Sequence, residues 1–160
     1  MSRTKIPFPV RVPFVESLGL ELHACAHGAS ELRVDLADAH MNSWEVAHGG
    51  VLMTMLDVAM AHAARSVNSH DPAHAIGVAT IEMKTTFMRP AEGELRALGT
   101  LMDRTTTMAF TEGRVLDGEG RLCAHATGTF KYLRGLPVST RKARALRAAQ
   151  PDPDESKDPS

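Results

Sequence analysis

The sequence has little of what marks a secreted, membrane-bound or nucleic-acid-binding protein. Its only two cysteines, Cys25 and Cys123, match no metal-binding spacing, which favours reduced thiols. The 18 basic and 19 acidic residues nearly balance, so no overall charge attracts nucleic acid or a membrane surface. The most apolar stretch, residues 51–64, is shorter than the roughly 18 residues of a membrane span. We therefore expect a cytoplasmic protein with neither nucleic acid nor a membrane as its partner.

The N-terminal segment lacks the continuous apolar stretch of a signal peptide. Residues 1–13 mix basic side chains with three prolines, and we interpret them as a leader to the folded domain. A chain of 160 residues fits one domain with one core, which we assign to residues 14–136. Residues 137–160 are charged and rich in proline, so we expect a disordered tail.

The pattern of apolar residues predicts one buried helix and several strands. Residues 49–65 contain good helix formers, no proline and apolar side chains on every side, which is typical of a buried helix. Strands are predicted at residues 20–26, 31–36, 76–88, 93–103, 108–116 and 121–133. The last four strands have short links and are expected to form an antiparallel meander. The predicted fold class is α+β, with an antiparallel sheet wrapped around one long central helix.

Asp57 is the most informative residue, because it is a carboxylate within an otherwise apolar helix. Its neighbours on one helical face are expected to be Met53, Thr54, Met60 and Ala61. Removing a carboxylate from water is costly, so such a residue needs a partner or a chemical role. One interpretation is an internal pair with Arg65 or His62. The other is a general base or nucleophile whose pKa is set by an apolar pocket.

Gly49 and Gly50 begin the same helix and suggest a site for developing negative charge. Without side chains, their backbone N–H groups are open at the positive end of the helix dipole. The alternative is that the glycines only let the backbone pass close to a neighbour. Gly49 and Asp57 are separated by about 12 Å along a helix axis, so both cannot touch one carbonyl group. If both are catalytic, the site needs two chains, and we expect at least a homodimer.

Asn42, His48-Gly49-Gly50 and Asp57 form a spaced set, with six residues from Asn42 to His48 and nine from His48 to Asp57. This set resembles the active-site signature of hot-dog-fold thioesterases of the phenylacetate-degradation type. The resemblance extends from about residue 14 to residue 133 and implies the hot-dog fold. It also implies hydrolysis of an acyl-CoA to the free acid and CoA, without a cofactor, in a homodimer or homotetramer.

Two further positions bear on this resemblance. The family commonly ends the strand after the helix with an aromatic-Met-x-Pro-Ala sequence, and here residues 87–91 read Phe-Met-Arg-Pro-Ala. The family also often has a glycine between the Asn and the His, where this chain has Glu45 beside Trp44. This difference at Glu45 leaves the shape of the loop, and with it the acyl specificity, open.

The resemblance implies a role for each residue of the signature. Asp57 activates water or attacks the thioester, and the Gly49 N–H of the partner chain polarises the carbonyl. Asn42 orients the water or the carbonyl, His48 lies near the thiol leaving group, and Thr80 helps to hold the water. Simpler roles stay open for three of them: Asn42 as a turn residue, His48 as a helix-entry residue and Thr80 as an ordinary strand residue.

Substrate contacts are expected from a wider group of side chains. Apolar groups and a backbone amide would line the acyl pocket, and cations would bind the CoA phosphates. The candidates are Gly50, Met53, Met60, Phe87, Arg89 and Lys131. The chain offers no complete metal-ligand set, since His70 and His74 with Asp71 are too few for a functional zinc site. An alternative function is a non-catalytic acyl-CoA binding or sensing protein.

Overall fold

A computed structural model describes residues 4–68 and 76–134, together with two short segments, residues 136–137 and 143–144. A six-stranded antiparallel sheet curves around one 17-residue helix. The elements are α1 Pro13–Ser17, β1 Glu21–Ala26, β2 Ala29–Asp35, a 3-10 turn Asp38–His40, α2 Gly49–Arg65, β3 Gly77–Phe87, β4 Glu94–Arg104, β5 Met108–Leu116, β6 Leu122–Leu133, β7 Leu136–Pro137 and β8 Ala143–Arg144. The predicted α+β class and the helix bounds are confirmed. Among the described residues, no helix is long and apolar enough to cross a membrane.

The two ends of the chain can be compared with the sequence only in part. Ile6 of the leader forms an isolated bridge with Leu22, so part of this segment lies against the edge strand β1. Most of residues 137–160 lies outside the described residues. The two pairs that are described, in β7 and β8, form a small antiparallel ladder.

The order of the strands corrects one sequence prediction. The sheet runs β1-β2-β4-β5-β6-β3, so β4 to β6 form a meander, but β3 pairs with β6 and not with β4. The link at residues 88–93 therefore crosses three strand spacings, about 14 Å. A tight hairpin is disfavoured there because Pro90 has no N–H to donate, and Ala91 is instead bonded through its carbonyl oxygen to the Ala47 N–H at 2.9 Å.

A β-bulge in β3 corrects the assignment of its two faces. Simple alternation puts Thr80, Glu82 and Lys84 on one face of the strand. The pairing with β6 slips between Thr80 and Glu82, leaving Ile81 as an extra residue. Thr80 therefore faces the helix, opposite the buried Phe130, whereas Glu82 is opposite Thr129 on the outer face.

Glycines on the inner face of the sheet let α2 lie unusually close to it. Gly99 of β4 pairs with Gly113 of β5, and Gly128 lies on the neighbouring β6. A Cβ atom at Gly113 would meet Leu56 at 3.0 Å and Met60 at 3.1 Å. The backbone of α2 is tied to the sheet by Ser30, whose hydroxyl donates to the Ala59 carbonyl oxygen at 2.6 Å. Because these glycines have no side chains, the helix can pack closely against the inner face of the sheet.

We predict that Gly99→Ala strongly destabilises the fold. Its Cβ atom would overlap the Ala59 carbonyl oxygen and lie 2.8 Å from the Ser30 hydroxyl, so helix and sheet must separate. Overpacking of this kind typically costs about 1–3 kcal/mol. Urea unfolding measures the decrease in the free energy of unfolding. Gly118→Ala is the matched control, because its Cβ atom meets only the Glu94 carbonyl oxygen, at 3.8 Å, and should change stability by less than about 0.5 kcal/mol. Equal stabilities of the two variants would contradict this account of the packing.

Candidate active site

Asp57 projects from the one face of α2 that the sheet leaves uncovered. This face is open or half-buried at Gly50, Met53, Thr54, Asp57 and Ala61, at the spacing of a helical stripe. The predicted neighbour Met60 does not belong to it, because Met60 is fully buried and its side chain approaches Gly113 and Gly128. Met60 is a core residue within this chain, whereas Met53 is 41% exposed.

The described partner of Asp57 is Thr80, and neither Arg65 nor His62. The Thr80 hydroxyl donates to Asp57 Oδ1 at 2.7 Å. Arg65 bonds instead to the Ile76 carbonyl oxygen, and His62 Nδ1 to the Val58 carbonyl oxygen. Burial raises the pKa of Asp57 above its ordinary value, and the Thr80 hydrogen bond opposes this effect by stabilising the carboxylate. The carboxylate is thus half-desolvated and held by one neutral hydroxyl.

His48 caps α2 and leaves only one of the two glycine amides open. Its side-chain Nδ1 accepts a hydrogen bond from the Gly50 N–H at 2.9 Å. A Cβ atom at Gly50 would lie 3.0 Å from that nitrogen, a tight contact, so the cap favours glycine there. The Gly50 N–H is therefore already bonded within the chain, and a substrate contact of Gly50 stays a prediction. The Gly49 N–H has no acceptor within residues 4–68 and 76–134, and the Nε2 atom of His48 carries the ring proton.

Asn42 is a turn residue, which agrees with the simpler interpretation. The turn bonds to its side-chain oxygen but not to its side-chain NH2 group. Asn42 Oδ1 accepts from the Trp44 N–H at 2.9 Å, and the Asn42 N–H donates to the Val46 carbonyl oxygen at 2.8 Å. Glu45 has φ 58°, a left-handed conformation that favours glycine. The side-chain NH2 of Asn42 bonds to no described residue, so it can donate to a ligand.

A groove with a volume of about 300 Å³ brings several of these residues together. Its lining includes Asn42, Gly49, Phe87 and Arg89 from the sequence prediction, and also Val46, Ala47, Leu52, Met88, Pro90 and Ala91. The Phe87 ring lies beside Gly49, 3.5 Å from where a Cβ atom would be. Sequence reasoning missed Leu52 and Ala91, although Leu52 follows Gly49 by one helical turn. The groove joins the helix N-terminus to the link after β3.

Asp57 and Thr80 lie outside this groove. The candidate residues therefore fall into two groups on one chain, the candidate half-sites, separated by about 12 Å of helix. One offers an open N–H group and apolar walls, and the other offers a half-buried carboxylate with its hydroxyl partner. Neither half contains both an acceptor for a water proton and a donor for an oxyanion.

The two cations predicted to bind CoA phosphates lie far apart on the chain. Lys131 pairs with Ala79 at one end of β3, whereas Arg89 follows Phe87 at the other, about 26 Å away along the strand. Arg89 already donates to the Leu122 carbonyl oxygen at 2.8 Å, and Lys131 is exposed. They cannot contact the same phosphate from one chain.

The described residues contain no cluster of three or more His, Cys, Asp or Glu side chains that would hold a metal ion. His70, Asp71 and His74 lie outside the described residues. The two cysteines are free thiols, Cys123 buried and Cys25 half-buried.

Comparison with known proteins identifies the family of this architecture. The family model of the thioesterase superfamily matches residues 45–124, half of the chain. A conserved protein of Pseudomonas aeruginosa is 28% identical, with a TM-score of 0.71, over 78% of this chain and 97% of that one. A mutant of the phenylacetic acid degradation protein PaaI from Thermus thermophilus is 25% identical, with a TM-score of 0.67, over 76% of this chain and all of that one.

A more distant structure supports the fold alone. The PaaI protein of the phenylacetic acid degradation operon of E. coli is 16% identical, with a TM-score of 0.69, over 77% of this chain and 86% of that one. The six-stranded sheet around one long helix is thus the hot-dog fold that the resemblance implied. The chain belongs to the thioesterase superfamily and is a hydrolase that acts on thioesters.

Proposed function

We propose that the protein hydrolyses an acyl-CoA to the free acid and CoA, with Asp57 as general base or nucleophile. The observation that carries this proposal is the pairing of Asp57 with Thr80 on the exposed face of α2, at 2.7 Å. A half-desolvated carboxylate with a raised pKa suits proton abstraction from water near neutral pH. The free Gly49 N–H at the other end of the helix supplies the complementary donor.

The reaction needs few parts beyond these. As general base, Asp57 accepts a proton from the water that attacks the thioester carbonyl carbon. The carbonyl oxygen gains negative charge, which the Gly49 N–H stabilises, and the C–S bond then breaks to release the CoA thiolate. The Asn42 NH2 orients the carbonyl or the water, and His48 Nε2–H lies on the leaving-group side. As nucleophile, Asp57 would form an anhydride that water opens afterwards.

We infer that the two half-sites are completed across a homodimer. β3 is an edge strand within the described sheet, with 11 residues whose outer edge has no partner strand. Such an edge favours pairing with a second chain. Exposed apolar side chains border it at Ile81, Phe87 and Met88, and Met53 lies on the uncovered face of α2. Burying this surface would bring Asp57 of one chain towards Gly49 of the other.

The substrate contacts and the location follow the same reasoning. Phe87 and the apolar groove beside Gly49 would hold the acyl group, with Met53 from the dimer face. Arg89 and Lys131 are proposed phosphate contacts that come from different chains of one site. Two free thiols without a disulfide fit the reducing cytoplasm, where we expect the protein to act.

Asp57→Asn should lower kcat for acyl-CoA hydrolysis roughly a hundredfold or more, because the amide cannot accept a proton. Thiol release from short, medium, long and aromatic acyl-CoAs measures the loss. The variant should be at least as stable as the wild type at neutral pH. The raised pKa of Asp57 favours folding below the unfolded-state pKa, and this contribution is lost as pH rises through the folded-state pKa.

The control for this variant is Asp35→Asn, which changes an exposed aspartate at the end of β2 and should leave kcat unchanged. Equal turnover by Asp57→Asn and the wild type would refute the mechanism. Tight binding of acyl-CoA without turnover by any form of the protein would instead favour a sensor.

Thr80→Val should move the acid limb of the kcat/KM profile to higher pH. Activity needs the ionised carboxylate, and the lost hydrogen bond removes the interaction that lowers the pKa of Asp57. A pH series from the acid side to neutrality measures the shift. Thr80→Ser keeps the hydroxyl and should stay close to the wild type. An unshifted limb in Thr80→Val would mean that Thr80 only supports the strand.

Gly49→Pro should lower kcat roughly a hundred- to a thousandfold, because it deletes the N–H group proposed to stabilise the oxyanion. The helix should tolerate the change. Gly49 is the first helical residue, where proline is favoured, and His48 before it is extended with ψ 138°. Gly49→Ala is the control, since it keeps the N–H and its Cβ atom makes an ordinary 3.5 Å contact with Phe87.

A mixed dimer tests whether the site is shared between chains. Asp57→Asn and Gly49→Pro chains, co-expressed with different tags and purified as the heterodimer, should regain about half of the wild-type activity, since one of the two sites is then intact. An inactive heterodimer would mean that each site lies within one chain.

A further inference from the structure

Trp44 is the most exposed large apolar side chain of the described residues, at 82%. It is also the only tryptophan of the sequence. A tryptophan usually buries most of its large ring, and an indole left in water forgoes that stabilisation. The indole ring does not pack in the core, and it makes no hydrogen bond or ring contact with a described residue.

The turn that carries Trp44 is tightly built. The backbone N–H of Trp44 donates to Asn42 Oδ1, and an isolated β-bridge joins Met41 to Ala47 at the base of the turn. Glu45 takes a left-handed conformation, which costs a residue with a side chain roughly 1 kcal/mol or more. A strained turn fixed by several hydrogen bonds presents the indole at a defined point, unlike a ring on a loose chain end.

Trp44 belongs to the turn whose two flanking residues line the groove, although Trp44 itself is not one of the lining residues. Asn42 and Val46, each two residues away, line the groove together with Gly49. Two residues of chain span at most about 7 Å, so the indole can reach over the mouth of the groove. A thioester bound in the groove beside Gly49 would therefore pass within reach of this turn.

We propose that Trp44 binds the substrate by stacking its indole on a flat ring of the thioester. This inference rests on the proposed function and adds a specificity residue to it. Two parts of an acyl-CoA offer such a ring, the adenine of the CoA and an aryl group of the acyl chain. Both present a π-face on which an indole can stack.

Tryptophan fluorescence reads this contact directly, because the chain has no second indole. In the free full-length protein, iodide should quench the emission as it does for a hydrated indole. Ligands are then titrated into the Asp57→Asn protein, which consumes no substrate if the proposed mechanism is right. We expect quenching either by CoA and ADP, which identifies adenine, or only by aryl thioesters, which identifies the acyl ring.

Substitutions separate stacking from simple burial. Trp44→Leu and Trp44→Ala should weaken binding of the quenching ligand roughly five- to 150-fold and raise KM with kcat little changed. Trp44→Phe keeps a flat ring and should retain most of the affinity. Phe110→Ala is the matched control, because it removes another exposed aromatic ring, 41% exposed, from the outer face of the sheet.

Three results would overturn the inference. The first is an indole that iodide cannot reach in the free protein, as expected if a second copy covers it. The second is the absence of quenching by any thioester that the wild type hydrolyses. The third is a Trp44→Leu variant that binds the ligand as well as Trp44→Phe does. A failure of the proposed catalysis is distinct from these, because it shows as unchanged turnover by Asp57→Asn, whereas quenching is then read at once after mixing or with CoA and ADP, which contain no thioester to hydrolyse.

Discussion

The rise of one α-helix is the constraint on which this molecule depends. α2 carries the open Gly49 amide at its first residue and Asp57 eight residues later, and 1.5 Å per residue keeps them about 12 Å apart. No side-chain rotation closes that gap. The helix also packs tightly on the sheet, because Gly99 lies against the Ala59 backbone and Gly113 against the Leu56 and Met60 side chains. The helix thus separates the two candidate half-sites, and the proposed homodimer would bring them together.

The electrostatic state of Asp57 depends on a local irregularity of the sheet. Without the bulge at Ile81, strand alternation would place Thr80 and Glu82 on the same face. A glutamate facing Asp57 would then add like-charge repulsion. The bulge turns the hydroxyl inward and the carboxylate outward, so Asp57 has one neutral donor and keeps a pKa that burial raises. The reactivity proposed for Asp57 follows from that single extra residue.

The sequence predicted the parts of the fold that local patterns determine. The bounds of α2 follow from the side-chain pattern and the glycine placement, and they are confirmed. The position of β3 at the edge was not predictable, because it depends on a crossing link and on which strands already pair with β4. Asp57, Gly49 and Asn42 could be singled out by residue type. The hydrogen bond from the Gly50 N–H to His48 could not be predicted, since it depends on the conformation of the His48 side chain at the start of the helix.

The structure also explains why these features occur together on one surface. An exposed edge strand, an uncovered helical face and a half-buried carboxylate each cost stability or solubility in a single chain. A chain that buried Asp57 completely would have to neutralise it, and a chain that left it in water would keep its pKa at the ordinary value. The proposed contact with a second copy would resolve all three, because it would cover the edge and the apolar side chains and leave the carboxylate in a partly desolvated cleft. Association and activity would then be one property of the chain, since Asp57 lies on the same surface that the proposed contact covers.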